Sequence, residues 1–154
     1  PFFAVFQDVR SFYFANILLV GSSIVLFMLT LRNMFPQADP VQKLVLGAAG
    51  FLLASNFYVY TMPWLLMAET ASLFLVALGL YIYTLPQKPL RDFAAAQIGA
   101  LLLLIKFSNL PIAVVMYVFF FLQSKHRQRF VQYSATAALY VGLYFLHSNI
   151  LAGH

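Results

Sequence analysis

The chain has 154 residues, of which 63% are hydrophobic and 8% are charged, and its formal net charge is +5. About one quarter of the residues of a soluble domain are charged, so this composition excludes an ordinary soluble domain and indicates a single integral membrane domain over residues 1–154. The chain contains no cysteine, which excludes disulfides, thiolate metal ligands and cysteine nucleophiles.

The first predicted elements are an interfacial segment and a membrane span. Residues 1–13 mix four phenylalanines with one acid and one base, which is typical of a segment that lies at a bilayer interface. Apolar residues then run from Phe14 to Leu31, a length that crosses a bilayer as a helix. The turn at residues 36–40 ends this span, because its two prolines lack a backbone donor.

Two further spans and an aromatic turn follow. The second predicted span covers residues 43–60, and the third covers residues 64–85. Tyr58, Tyr60 and Trp64 lie where these spans meet, and such side chains collect at bilayer interfaces because their rings are apolar and their tips polar. We therefore expect them to anchor a turn at the outer interface; the alternative is that they line a lipid or sugar site.

Residues 93–123 hold one formal charge, Lys106, in an otherwise apolar run. A single helix of this length would be about 46 Å long, well above the roughly 30 Å of a hydrocarbon core. Ser108, Asn109 and Pro111 follow the lysine. The side chains of Ser108 and Asn109 can bond backbone groups that a break leaves free, and a proline begins a helix more readily than it continues one. The sequence therefore predicts a hairpin of two short helices, broken between Lys106 and Pro111.

The basic loops predict the orientation of the chain. Lysine and arginine in short loops favour the cytoplasmic side, and here they occur at residues 32–43, 86–92 and 124–129. All three loops are cytoplasmic only if residues 93–123 double back, with the tip in the outer half of the membrane. A final span is predicted over residues 130–150. The predicted fold is an all-α, polytopic bundle of four long spans and one broken hairpin.

Four polar residues are candidates for binding a substrate or a lipid phosphate: Lys106, Glu69, Asn109 and Arg10. Charged side chains inside a membrane are unfavourable and often mark a functional site. The alternative for Lys106 is a side chain that extends to lipid phosphates beside the helix break. The alternative for Glu69 is a buried, hydrogen-bonded carboxyl group. The predicted orientation places both Glu69 and Lys106 toward the outer side, which allows an ion pair between them. Arg10 has the alternative of pairing locally with Asp8.

No motif assigns a catalytic residue. The sequence has no glycine-rich phosphate loop, no paired carboxylates and no nucleophile triad. Its three histidines lack helical metal spacing, and we expect His147 to be an interfacial side chain near the outer end of the last span. We therefore predict no cofactor, with a divalent metal left open, and no nucleic-acid partner, because the positive-inside rule accounts for the basic residues.

Three stretches of the sequence occur in an order that is similar to that in a known protein family. "LRNMF" ends the first span at residues 31–35, "NFYVYTMPWLLMAETASLFLVALGLYIY" covers residues 56–83, and "AAAQIGALLLLIKFSNLPI" covers residues 94–112. In this order they resemble the middle of the membrane domain of GT-C glycosyltransferases of the mannosyl- and aminoarabinosyl-transferase type. The resemblance implies a polyprenyl-phosphate sugar donor, with Glu69 lining an outer cavity and Lys106 facing the lipid phosphate. The expected location is the bacterial inner membrane.

The catalytic acids of that family lie in an outer loop before the part matched here, so the resemblance implies a piece of a longer enzyme or a non-catalytic relative. The main alternative is a non-enzymatic subunit that packs against other membrane subunits through its small and aromatic residues. A third hypothesis is a small transporter with Glu69 and Lys106 along its path. Membrane lipids are expected partners in each case.

Overall fold

The computed structural model describes residues 9–37, 39–45, 47–48 and 66–152. Helices and short turns make up these ranges, and no strand occurs within them. The all-α prediction is therefore confirmed for the described residues. The chain divides into two compact units, Pro1–Thr84 and Leu85–His154, and its treatment as one domain stays a prediction.

The described part of the first unit contains two long helices: α1 is Val9–Met34 and α2 is Leu66–Tyr83. The predicted first span lies within α1, and α2 covers most of the third. Residues 40–45 and 47–48 are helical as well, but most of the second predicted span lies outside the described residues. Residues 1–8 of the predicted interfacial segment also lie outside them.

The two helices of the first unit run in parallel. Near their N-terminal ends, the Thr70 hydroxyl donates a buried hydrogen bond of 2.7 Å to the side-chain oxygen of Asn16. Near their C-terminal ends, the Asn33 amide donates to the Thr84 hydroxyl at 2.9 Å. The connection between α1 and α2 therefore starts at one end of the helix pair and ends at the other.

The second unit contains the predicted helix break. Helix α3 is Pro89–Ile105, a 3₁₀ turn covers Phe107–Asn109, α4 is Leu110–Gln123 and α5 is Arg127–Ala152. The predicted interruption between Lys106 and Pro111 is thus confirmed. The final predicted span lies within α5.

Helices α3 and α4 form an antiparallel hairpin. The Tyr117 hydroxyl of α4 donates to the Ala96 carbonyl of α3 at 2.7 Å, and Ser124, just after α4, donates to Asp92 near the start of α3 at 2.7 Å. Gly99 permits this close approach, because a Cβ atom there would lie 2.5 Å from the Tyr117 ring. The two ends of the hairpin are hereafter its tip, at residues 106–109, and its base, where α3 begins and α4 ends.

Helix α5 begins at the base of the hairpin and packs against it. The Tyr133 and Phe93 rings meet edge to face with centroids 5.5 Å apart, and Phe130 meets Tyr117 at 6.1 Å. The core of this unit is centred on α3, where Leu102 is fully buried.

One described helix has the length and composition of a membrane span. It is Phe14–Met34 within α1, with 21 residues and a mean hydropathy of 2.2, and 17% of its apolar window is buried inside the protein. The apolar helices Ala68–Tyr83 and Leu110–Gln123 are shorter, and polar residues such as Gln132 and His147 interrupt α5. The described residues therefore support one spanning segment, and the bundle of four long spans stays a prediction.

Polar side chains are buried and large apolar ones are exposed in both units. The buried polar residues are Asn16, Ser23, Thr30, Thr70, Arg91, Asp92, Asn109 and Ser124. By contrast, Phe14, Leu122 and Ile150 are each more than 60% exposed. Soluble domains bury few polar groups and place charged ones at the surface, so this distribution suits helices that face lipid.

Candidate functional site

The hairpin tip is held by its backbone and by the side chain of Asn109. Lys106 leaves the helical conformation, with φ −158° and ψ 123°, while its N–H still donates to the Leu102 carbonyl at 3.2 Å. The Asn109 N–H donates to the Lys106 carbonyl at 2.9 Å, and the Asn109 side-chain amide donates to the Leu102 carbonyl at 3.1 Å. Asn109 is buried and therefore has a structural role at the tip; its predicted contact with a ligand stays a prediction.

The tip presents one cation beside an apolar surface. Lys106 is exposed, and it is the one formal charge between Asp92 and Lys125. Leu110 and Ile112, which begin α4, are also exposed. An ammonium group beside apolar side chains can bind an anionic headgroup while the neighbouring surface contacts the lipid chains.

The base of the hairpin contains a buried ion pair. Arg91 and Asp92 are 4% and 3% exposed, and the Arg91 Nη2 lies 3.5 Å from the Asp92 Oδ1. Arg91 Nη1 donates to the Gln123 side chain at 3.0 Å and to the Leu85 carbonyl at 3.3 Å. The guanidinium also lies over the Phe120 ring, 5.9 Å from its centroid. These contacts join the start of α3 to the end of α4.

Both oxygens of the Asp92 carboxylate are engaged. Oδ1 faces Arg91, and Oδ2 accepts the hydroxyl proton of Ser124 at 2.7 Å. Ser124 in turn accepts the His126 N–H at 3.1 Å, just before α5 begins. Buried charges are tolerated where they are paired and hydrogen-bonded, so this cluster fixes the base of the hairpin and offers no free general base.

The base cluster corrects the sequence-based interpretation of residues 86–92 as a short basic loop. Helix α3 begins at Pro89, so Arg91 and Asp92 lie in its first turn and are buried there. The sequence signal that could have revealed the cluster is an adjacent arginine and aspartate at the start of an apolar helix. Its partners Gln123 and Ser124 lie more than 30 residues further along the chain.

Glu69 lies in the first turn of α2 and is partly buried. A carboxylate at this position interacts favourably with the partial positive charge of the helix N-terminus. The adjacent Thr70 joins α2 to α1 through Asn16. Glu69 belongs to the first unit and Lys106 to the second, so their pairing stays a prediction.

The other predicted site residues are only partly described. Arg10 lies in the first turns of α1, but its side chain lies outside the described residues, as do Tyr58, Tyr60 and Trp64. His147 is exposed on α5. In the part of the chain that the structure describes, no group of three or more metal-ligating side chains is found.

Comparison of the chain with protein-family models, with curated proteins and with solved structures finds no match. In the part of the chain that the structure describes, the fold and the site define a helical protein with exposed apolar faces, one helix that is long and apolar enough to cross a membrane, and an exposed lysine at a helix break. The resemblance to GT-C glycosyltransferases therefore depends on the order of the sequence features alone.

Proposed function

We propose that this chain is part of a polytopic membrane domain that binds a lipid phosphate at the outer face through Lys106, as the donor-binding part of a GT-C-like glycosyltransferase. The observation that carries the proposal is the exposed Lys106 amine at a break between two short antiparallel helices. The donor would be a polyprenyl-phosphate sugar.

The helix lengths support a tip inside the membrane. Helix α3 has 17 residues and α4 has 14, which correspond to about 25 Å and about 21 Å. Both are shorter than the roughly 30 Å hydrocarbon core. With the hairpin base at the cytoplasmic interface, the tip reaches the outer half of the bilayer, where Lys106 can extend to a phosphate.

The parallel packing of α1 and α2 supports a polytopic arrangement. If both helices cross the membrane in the same direction, the connection between them crosses it in the other. The loops at residues 32–43, 86–92 and 124–129 then share the cytoplasmic side, as the positive-inside rule favours. The proposed location is the inner, or plasma, membrane of a bacterium.

Chemistry at this site requires a carboxylate beyond those described. Transfer of a sugar needs a general base for the acceptor hydroxyl and cations that hold the phosphate. Lys106 can provide a cation, but Asp92 is fully engaged at the base of the hairpin. In this proposal the catalytic acid comes from another part of a longer protein.

A second candidate function is a non-enzymatic subunit that packs within a larger membrane complex. The observation that favours it is that buried polar groups bond to one another. Thr70 donates to Asn16 in the first unit, and Ser124 donates to Asp92 in the second. Wide apolar faces on α4 and α5 would then contact neighbouring helices.

Photocrosslinking separates these two functions. The full-length protein in lipid nanodiscs is exposed to a photoactivatable polyprenyl-phosphate analogue, and Lys106→Gln is compared with Lys125→Gln, which removes an exposed charge at the base. The proposal expects labelling near the tip to fall about tenfold in Lys106→Gln alone, as loss of one charged hydrogen bond would produce. Equal labelling of both variants and the unmodified protein would contradict it and favour the packing subunit.

A further inference from the structure

A partly open trough of about 400 Å³ lies in the first unit, along the C-terminal half of α1. Five apolar side chains line it, namely Ile24, Val25, Met28, Leu29 and Leu31, and two cations, Arg32 and Lys43, complete the lining. Ligand sites commonly have volumes of about 300–1,000 Å³, with mainly apolar walls and a few polar groups. The described lining of the trough has this composition.

The two cations of the trough are not used within the described residues. Among the described residues, the ion pair is Arg91–Asp92 at the base of the hairpin, and no side-chain hydrogen bond of these residues involves Arg32 or Lys43. Asp39 is the nearest acid along the chain, one helical turn before Lys43, where its carbonyl accepts the Lys43 N–H at 3.0 Å. Arg32 is exposed and Lys43 is partly buried, so an anion can reach both.

The position of the trough along α1 limits what it can bind. Its apolar lining lies within the spanning segment Phe14–Met34, and Arg32 lies near the end of that segment. An apolar wall that leads to two cations at a membrane interface is complementary to a lipid with a negatively charged headgroup. A soluble anion would use the cations but leave the apolar wall exposed.

We propose that this trough binds one anionic phospholipid of the cytoplasmic leaflet, with its acyl chain along Val25 and Met28 and its phosphate between Arg32 and Lys43. The inference depends on the proposed orientation of α1 but not on donor binding at Lys106. The bound lipid would hold the helical residues 40–45 against the end of α1.

The test measures lipid affinity of the full-length protein by native mass spectrometry, with phosphatidylglycerol and phosphatidylcholine of identical acyl chains. Each basic residue near an anionic headgroup contributes roughly a fivefold change in affinity, so Arg32→Gln with Lys43→Gln is expected to weaken phosphatidylglycerol binding about 10- to 30-fold. The control, Lys125→Gln with Arg129→Gln, removes two positive charges elsewhere and is expected to change the affinity for phosphatidylglycerol less than about twofold. An equal loss in both double variants would overturn the proposal, because it would indicate a general charge effect.

Three further variants test the apolar wall and guard against misfolding. Val25→Trp fills the trough and is expected to weaken binding of both lipids, whereas Val115→Trp on the exposed face of α4 is expected to have no effect. Arg32→Lys with Lys43→Arg keeps the charge and is expected to keep the affinity. Unchanged binding in Val25→Trp would contradict a seated acyl chain, and competition by free glycerol phosphate would assign the cations to a soluble anion instead.

Failure of this proposal is distinguishable from failure of the proposed function. Donor binding is measured at Lys106 in the second unit, and phospholipid binding at Arg32 and Lys43 in the first. Retained photocrosslinking at the tip in the Arg32→Gln, Lys43→Gln variant is the expected result if the two sites are independent.

Discussion

At the base of the hairpin, Arg91 and Asp92 are almost completely buried and bind each other, whereas at the tip Lys106 is exposed. Both ends are short polar stretches in an apolar sequence. At the base, Arg91 and Asp92 are hydrogen-bonded to Gln123 and Ser124, whereas at the tip Asn109 bonds the backbone and the lysine lies at the surface. The contacts of the base therefore stabilise the hairpin, and the tip is the end for which we propose ligand binding.

The largest effect on stability is expected from removing one partner of the buried pair. Asp92→Ala leaves the Arg91 charge buried without its carboxylate, which costs roughly 3–5 kcal/mol. The free energy of unfolding in mixed micelles measures this loss. Asp39→Ala removes an exposed acid and is the control. A loss at Asp92 no larger than that of the control would contradict a structural base.

A smaller loss is expected where α3 and α4 approach most closely. Gly99→Ala places a Cβ atom 2.5 Å from the Tyr117 ring, and such overpacking typically costs about 1–3 kcal/mol. At Gly142 in α5, a Cβ atom meets nothing within 4 Å, so Gly142→Ala is expected to stabilise its helix by up to ~1 kcal/mol. Opposite signs for the two variants in the same unfolding assay support the observed packing, and equal signs contradict it.

At the tip, replacing Asn109 is expected to lower the stability of the turn. Asn109→Ala removes the hydrogen bond to the Leu102 carbonyl, with an expected cost of about 1–2 kcal/mol. Hydrogen exchange at residues 106–110 is expected to speed up while exchange at the base is unchanged. Ser108→Ala, an exposed neighbour, is the control. If exchange stays slow in Asn109→Ala, the amide does not hold the turn.

The smallest effect on stability is expected at Lys106 itself. Lys106 is exposed, and substitutions of exposed side chains usually change stability by less than about 0.5 kcal/mol, so Lys106→Gln is expected to unfold like the unmodified protein. Its lipid-phosphate binding is nevertheless expected to fall, in contrast to Asp92→Ala. Destabilisation of Lys106→Gln by several kcal/mol would remove the distinction between tip and base.

Local sequence features predicted the helices and the break, but not the base cluster. Pro111 and the polar residues before it separate α3 from α4 whatever the tertiary structure, because a proline in a helix interior removes a backbone hydrogen bond. The burial of Arg91 depends on Gln123 at the far end of α4, and no local pattern contains that contact. In the sequence, an adjacent arginine and aspartate are the same two letters whether their side chains are solvated or buried.

The candidate site shows the same limit. Lys106 was identifiable because a single charge stands out in an apolar run, and its exposure follows from the break. Asn109 was predicted as a ligand-binding residue and as a partner for backbone groups freed at the break; its bond to the Leu102 carbonyl confirms the second prediction, although the identity of that carbonyl depends on the path of the turn. Arg32 and Lys43 were interpreted only as markers of the cytoplasmic side, since the trough beside them requires the three-dimensional arrangement of α1.

The placement of the base on the cytoplasmic side and of the tip in the outer half of the membrane can be tested directly, because the chain contains no cysteine. Single cysteines at Lys88, Lys106 and Lys125 are treated in intact cells and in inverted vesicles with a membrane-impermeant maleimide. We expect labelling of Lys88→Cys and Lys125→Cys from the cytoplasmic side, and labelling of Lys106→Cys from the outside or not at all, because the tip lies within the bilayer. Labelling of Lys106→Cys and Lys125→Cys from the same side would contradict it.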